Sequence, residues 1–303
     1  MWKLLPRALA ALAAAATLAA LVAPASPAAT LTHRLDRGAS LRAFWTPERL
    51  ASAQSLDAPR SLFDPAALRT ARKPVPGFTS SPVGSPGSVP FRAAGKVFLR
   101  LGGKVYACSA AIVKSDRGNL IWTAGHCLRD PGLGGKFASK LVFIPAYDDG
   151  SKPFGIWRAD AAAVPRGWGL GNQHYDFGAA TLARRNGRSV ANKVGAALPF
   201  DAKPKAKQRW TAVGYPQAGR FGDRMWSCES PFYRRDRFRG SGPDPLGIGC
   251  DMTGGASGGP WLTAKGKLGA VSSYLIRRRP DALFGTYMGG EAGRLYERLR
   301  DRG

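Results

Sequence analysis

The sequence is poor in histidine, in acidic residues and in long apolar runs. Only His33, His126 and His174 occur in 303 residues, so imidazole chemistry is confined to three positions. Aspartate and glutamate total 20 against 45 lysines and arginines, a formal charge of +25. Such a surface attracts polyanions. Arginine dominates the basic residues, and alanine, glycine and proline are abundant, a bias that a GC-rich genome produces without selection for binding. No RNP sequence or zinc finger occurs, so no specific nucleic-acid partner is expected. No C-x-x-C occurs, which argues against a zinc site, and neither metal nor cofactor is expected. After residue 22 no apolar run is long enough to cross a bilayer. No βαβ pattern and no internal repeat is visible.

The N-terminus carries Lys3 and Arg7, then an apolar stretch from Ala8 to Val22, then the small residues of "APASPAAT". That pattern predicts a signal peptide over 1–29, a secreted product and no membrane span in the mature chain. Export makes the four cysteines legible. Cys108, Cys127, Cys228 and Cys250 predict two disulfides, with three pairings open. Residues 30–90 do not read as core. Thr46-Pro47 and Asp64-Pro65 each place a capping residue before a helix-starting proline. "KPVPGFTSSPVGSPGSVP" then has five prolines and three glycines in eighteen residues, a linker composition. The region is expected to be a mostly unstructured pro-segment, with a surface-tethering stalk as the alternative.

From Phe91 the texture changes to strands. "KVFLRLGGKVYACSAAIV" reads as two strands joined at Gly102-Gly103. "NLIWTAGHC", "KLVFIPAYDDGSKPFGIWRADAAAV", "YDFGAATL", "QRWTAVGYP", "GPWLTAKGKLGAVSSYLI" and "FGTYMGG" add more. Short strands with Gly-rich turns predict an all-β antiparallel barrel or sandwich. Leu295 and Leu299, with Tyr296 beside them, predict one amphipathic C-terminal helix.

"CDMTGGASGGPWL" presents Ser257 in a glycine-rich run. Gly255, Ser257 and Gly259 also fit the G-x-S-x-G elbow of α/β-hydrolases. That architecture needs a histidine after the serine, and none follows. A serine nucleophile needs a base, which leaves His126, at the end of an apolar strand in "WTAGHC", and His174. At "TAGHC" followed by "GGASGGP" the chain resembles the secreted chymotrypsin-like serine peptidases, above all the bacterial branch that includes the glutamyl endopeptidases. The resemblance covers residues 91–303.

The resemblance implies two six-stranded antiparallel β-barrels over 91–303 and a polypeptide substrate. It implies a serine endopeptidase with Ser257 as nucleophile, His126 as base and an aspartate between them. "HYDFGAATL" supplies Asp176, which the motif favours over Asp148, Asp149 and Asp160. Backbone N–H groups of Gly255 and Ser257 are the implied oxyanion donors, and His174 is read as structural or solvent-facing. The implied disulfides are Cys108–Cys127 and, with it, Cys228–Cys250. A monomer is expected. Animal digestive members carry an aspartate before the nucleophile that pairs with the new N-terminus on activation. Ala256 stands here, so activation by cleavage has to work another way.

Specificity reads less clearly. Asp251 lies at the spacing of the acidic pocket floor of trypsin-like members, which predicts cleavage after Arg or Lys. Tyr274 falls where open-pocket members have glycine, and Cys250 precedes Asp251 where those members have the cysteine after it. Small, aromatic and acidic residues therefore stay open. The strand after the nucleophile offers Ser272 and Ser273 but no histidine, the usual reader of glutamate in the branch. Two other functions compete: a non-catalytic binding protein on a protease scaffold, and a cationic polyanion- or cell-wall-binding protein.

Overall fold

A computed structural model describes residues 30–35, 40–56, 74–238, 240–276 and 279–303. The expected signal peptide and the helix start at Asp64-Pro65 lie outside the described residues. Three strands precede the barrels: β1 (Thr30–Arg34), β2 (Gln54–Ser55) and β3 (Thr79–Pro82). Next come β4 (Ala94–Leu101), β5 (Lys104–Val113), β6 (Leu120–Thr123), β7 (Ser139–Pro145), β8 (Trp157–Pro165) and β9 (Gly178–Leu182). After them follow β10 (Arg209–Gly214), β11 (Trp226–Arg235), β12 (Leu246–Gly249), β13 (Pro260–Leu262), β14 (Leu268–Ile276) and β15 (Arg279–Tyr287).

The order β8-β7-β4-β5-β6-β9, with β9 pairing back onto β8, closes the first barrel. The order β10-β13-β14-β15-β12-β11, with β11 pairing back onto β10, closes the second. All of these pairings are antiparallel, as the sequence predicts. Closure pairs every strand of each ring on both sides over at least part of its length.

The β4–β5 hairpin turns at Gly102-Gly103, where φ is +55° and +87°. Two glycines accept those angles without strain, and the turn's twist matches that of the strands. β4 is buried on both faces for a physical reason. Val97 and Leu99 point into the first barrel with Trp122, Phe143 and a lining of alanines. Phe98 points outward, into a second cluster with Trp45, Leu50 and Ala53 of the N-terminal segment. The second barrel closes over Trp210 and Trp261, 6.0 Å apart and edge to face. Helix Gly290–Leu299 sends Ala292, Leu295 and Leu299 into the first barrel's cluster, and Tyr296 stacks on Phe200 at 4.5 Å. The predicted C-terminal helix is thereby the clasp that returns the chain to the first barrel.

The described parts of residues 30–90 include short ordered elements. β1 pairs with residues 161–165 of β8, and β3 pairs with Trp226–Glu229 of β11. Both reach stretches that the ring partner leaves open: β7 pairs with β8 only through Trp157 and Arg158, and β12 with β11 only from Phe232 onward. The added strands satisfy backbone groups that would otherwise be unpaired. Their sequences show no hydrophobic period because main-chain bonds hold them. Pro47–Ala51 is the helix that Thr46-Pro47 predicts, and the Thr46 hydroxyl accepts from the Arg49 N–H.

Candidate active site

β6 delivers His126 through the turn Ala124-Gly125. A Cβ at residue 125 would lie 3.1 Å from an Asp176 oxygen, so glycine is favoured there by close contact rather than by dihedral freedom. His126 meets Asp176 twice. Its backbone N–H donates to Oδ1 at 2.8 Å and its Nδ1 to Oδ2 at 2.8 Å. Both residues are buried, with 2% and 1% exposure. Asp176 follows a single 3-10 turn, Gln173–Tyr175, capped by the Asn172 side chain. A third bond reaches the carboxylate from β14, where Ser273 Oγ donates to Oδ2 at 2.5 Å. Three donors meet the oxygens of this buried carboxylate.

Ser257 sits in the loop between β12 and β13. That loop is anchored from the other barrel. Ser109 on β5 donates its N–H to Ser257 O at 2.7 Å and its hydroxyl to Gly255 O at 2.9 Å. The same hydroxyl accepts from Tyr215 N–H at 2.9 Å. Two glycines make the approach possible. At Gly255, φ is +96° and a Cβ would lie 2.5 Å from Tyr215 O. At Gly258, φ is +79° and a Cβ would lie 2.4 Å from Ser109 O. Among the described residues neither the Gly255 nor the Ser257 N–H donates to a protein acceptor. The Cys127 sulfur lies 3.8 Å from Ser257 O, a contact rather than a hydrogen bond because that sulfur is bridged to Cys108. His126 and Ser257 thus flank the Cys108–Cys127 bridge from opposite barrels.

The second bridge is Cys228–Cys250, as expected. The specificity candidates sit differently from one another. Asp251 is held by Arg220, with Nη2 2.6 Å from Oδ2. Ser272 accepts from the Trp261 indole at 2.9 Å and is buried. Tyr274 is buried, stacks on Phe284 at 5.2 Å and donates its hydroxyl to Asp236 at 2.7 Å. Burial pushes that phenol well up, and the Asp236 charge adds to it. Its ring is thus held by the second barrel's own side chains. His174 is buried, with Nδ1 3.2 Å from Pro243 O, so of the two readings offered for it the structural one holds.

Three residues at this site escaped the sequence reading. Ser273 in "GAVSSYLI" and Ser109 next to Cys108 carry no local sign of the partners they bond. Gln217 donates its side-chain amide to Ala53 O at 3.1 Å while its N–H bonds Gly254 O, so it joins the nucleophile loop to the N-terminal segment. Leu56 of that segment places its carbonyl oxygen 3.2 Å from His126 Nε2. Among the described residues no hydrogen bond joins His126 to Ser257.

Two closed six-stranded antiparallel barrels, with histidine and aspartate from the first and a serine loop from the second, define the architecture of the chymotrypsin-fold serine peptidases. The family described as trypsin-like peptidase domain matches residues 108–271, more than half of the chain, and the chain belongs to it. A glutamyl endopeptidase from Bacillus licheniformis is 29% identical over 139 residues, 46% of this chain and 40% of that protein. The matched region therefore spans less than half of that relative's length. Among solved structures, a thermostable serine protease, AL20, from an extremophilic microorganism is 36% identical. The match covers 69% of this chain and 97% of that one, with a TM-score of 0.64. The protease Anisep from Arthrobacter nicotinovorans is 31% identical over 74% and 99% of the two chains, with a TM-score of 0.65.

Proposed function

We propose that the chain is an exported serine endopeptidase working through Ser257, His126 and Asp176. Ser257 Oγ attacks the peptide carbonyl carbon while His126 Nε2 takes its proton. The oxyanion is received by the Gly255 and Ser257 N–H groups, which have no other acceptor among the described residues. Collapse breaks the C–N bond, and His126 returns the proton to the leaving amine. Water then hydrolyses the acyl-enzyme with His126 again as base. Asp176 keeps the proton on Nδ1 and stabilises the imidazolium.

One observation carries the reading: the His126 ring is held by Asp176, itself bonded by Ser273, beside a serine loop anchored by Ser109. A dead scaffold has no need to retain all of these bonds. Two disulfides suit an oxidising compartment, and no helix among the described residues is long and apolar enough to cross a membrane. The Arg220–Asp251 pair weighs against cleavage after Arg or Lys, since a carboxylate already paired gains less from a substrate cation. Hydrolysis of a quenched fluorescent peptide library, lost in Ser257→Ala, tests the proposal. Hydrolysis that persists in Ser257→Ala contradicts it.

A second reading has its own observation. A surface cavity of about 550 Å³ is lined by Lys152, Arg185, Arg188 and Lys193 with no acid among its walls. That lining supports attraction of polyanions in addition to catalysis. Retention on a polyanion column that falls steeply with salt tests it.

A further inference from the structure

The N-terminal segment bears directly on the catalytic base. β2 runs parallel to β5, with Gln54 opposite Tyr106 and Ser55 opposite Ala107, and the Leu56 N–H donates to Ala107 O at 3.2 Å. Gln217 holds Ala53 O at 3.1 Å from the other side. Upstream, Trp45 is buried against Phe98 and donates its indole N–H to Lys140 O at 2.6 Å. Leu41, Leu50 and Ala53 complete an apolar contact with Ala107, Val142 and Ile144. The segment is thus seated by an aromatic anchor, a two-residue strand and a side-chain clamp.

Its last described residue reaches the base itself. The carbonyl of Leu56 lies at His126 Nε2, the nitrogen that has to accept the Ser257 proton. A carbonyl only accepts, so Nε2 must carry a proton to use this contact. Nδ1 is engaged by Asp176. The Leu56 carbonyl thus stands in the approach to the nitrogen that has to take the serine proton. The Leu56 carbonyl points at the base, and among the described residues the Gly255 and Ser257 N–H groups have no protein acceptor, so the described part of the segment blocks the base without entering the oxyanion site.

We infer that the cleft beside His126 is a groove for an extended, apolar-anchored peptide, and that residues 40–56 occupy it in cis as the chain's own inhibitor. The inference rests on the hydrolytic reading above. It also answers the question that Ala256 raises. With no acid before the nucleophile to pair with a new N-terminus, a cleavage-driven switch can act by removing an occupant. The nucleophile loop is already held by Ser109 with the segment in place, so release needs no rebuilding of that loop.

The test uses the full chain. Trp45→Ala removes the anchor, and Ala53→Arg puts a charge where a methyl is 4% exposed. Each is compared with wild type in the rate of Ser257 labelling by an organofluorophosphonate. Hydrogen exchange over residues 40–56 and a thermal melt of the barrels are followed in parallel. A segment docked 99% of the time leaves about 1% of molecules competent, so release raises the labelling rate by up to ~100-fold. Faster labelling in step with lost protection of 40–56, in either variant with intact barrels, is the expected result. Rapid labelling of wild type and both variants alike overturns this inference alone. No labelling of any form overturns the hydrolytic reading, and this inference with it.

Discussion

Ser273 Oγ donates to Asp176 Oδ2 at 2.5 Å and so ties β14 of the second barrel to the acid of the first. The bond crosses between barrels beside the proposed triad. Hydrogen bonds to charged groups are worth about 2 kcal/mol. Ser273→Ala is expected to lower the melting temperature and to cut turnover roughly tenfold, with KM little changed. Thermal melts and steady-state kinetics on the same preparation check both halves. Unchanged turnover would show that His126 alone positions the carboxylate.

The role of Asp176 itself gives a larger effect. Asp176→Asn keeps the shape but disfavours the proton on Nδ1, and should cost about 10⁴ in turnover. Near-normal activity of that variant would move the orienting role to another acid.

Much of this arrangement was legible in the sequence, and the legible parts share a cause. His126 and Ser257 sit in small-residue turns whose composition is forced by close approach. Gly258 leaves no room for a Cβ and Gly125 little, which ties the small residues of "TAGHC" and "GGASGGP" to close approach. The barrels were legible from strand runs and the Gly102-Gly103 turn. β11 and β12 were not, because Pro231 and charged residues blur the alternation in β11 and β12 is only the four residues Leu246–Gly249, half of them glycine. β1, β2 and β3 were not, because they are held by main-chain bonds that any side chains allow. Ser273 and Ser109 were not, because a hydroxyl in a strand carries no sign of its partner. The contact of Leu56 with His126 spans 70 residues of sequence and has no local pattern at all.

Asp251 was the sequence's argument for cleavage after Arg or Lys, and its pairing with Arg220 weighs against that reading. Asp251→Asn should leave the order of preference unchanged across fluorogenic substrates that vary only in the residue before the scissile bond. Selective loss of Arg and Lys substrates in that variant would restore Asp251 as the pocket floor.

Cys228–Cys250 closes a loop of 22 residues leading into the nucleophile loop. Replacing both cysteines by serine should cost about 3 kcal/mol of stability. Denaturant unfolding of the double variant measures it. A loss near zero would mean that the unfolded chain is already constrained there.

Lys96 is 2% exposed and hydrogen-bonded to Asp223, which also takes the Tyr147 hydroxyl. Burial lowers the Lys96 pKa, and the Asp223 charge works against that. Asp223→Asn leaves burial unopposed and should cost about 2 kcal/mol at pH 7, less than a fully buried pair because Asp223 is partly exposed. The unfolded lysine keeps its ordinary value of 10.5. Between the lowered folded value and 10.5 the unfolded chain binds more protons, so stability rises with pH there. The gap to wild type should therefore narrow as pH rises toward 10.5. Melts from pH 7 to 10 that run parallel would contradict it.

The central claim is that Ser257 is a nucleophile activated by His126. Organofluorophosphonate labelling of the full-length Trp45→Ala chain, followed by peptide mapping, addresses it most directly. The account predicts one adduct, on Ser257, and none when His126→Ala is added. An adduct on another residue, or one on Ser257 that forms as fast without His126, would contradict it.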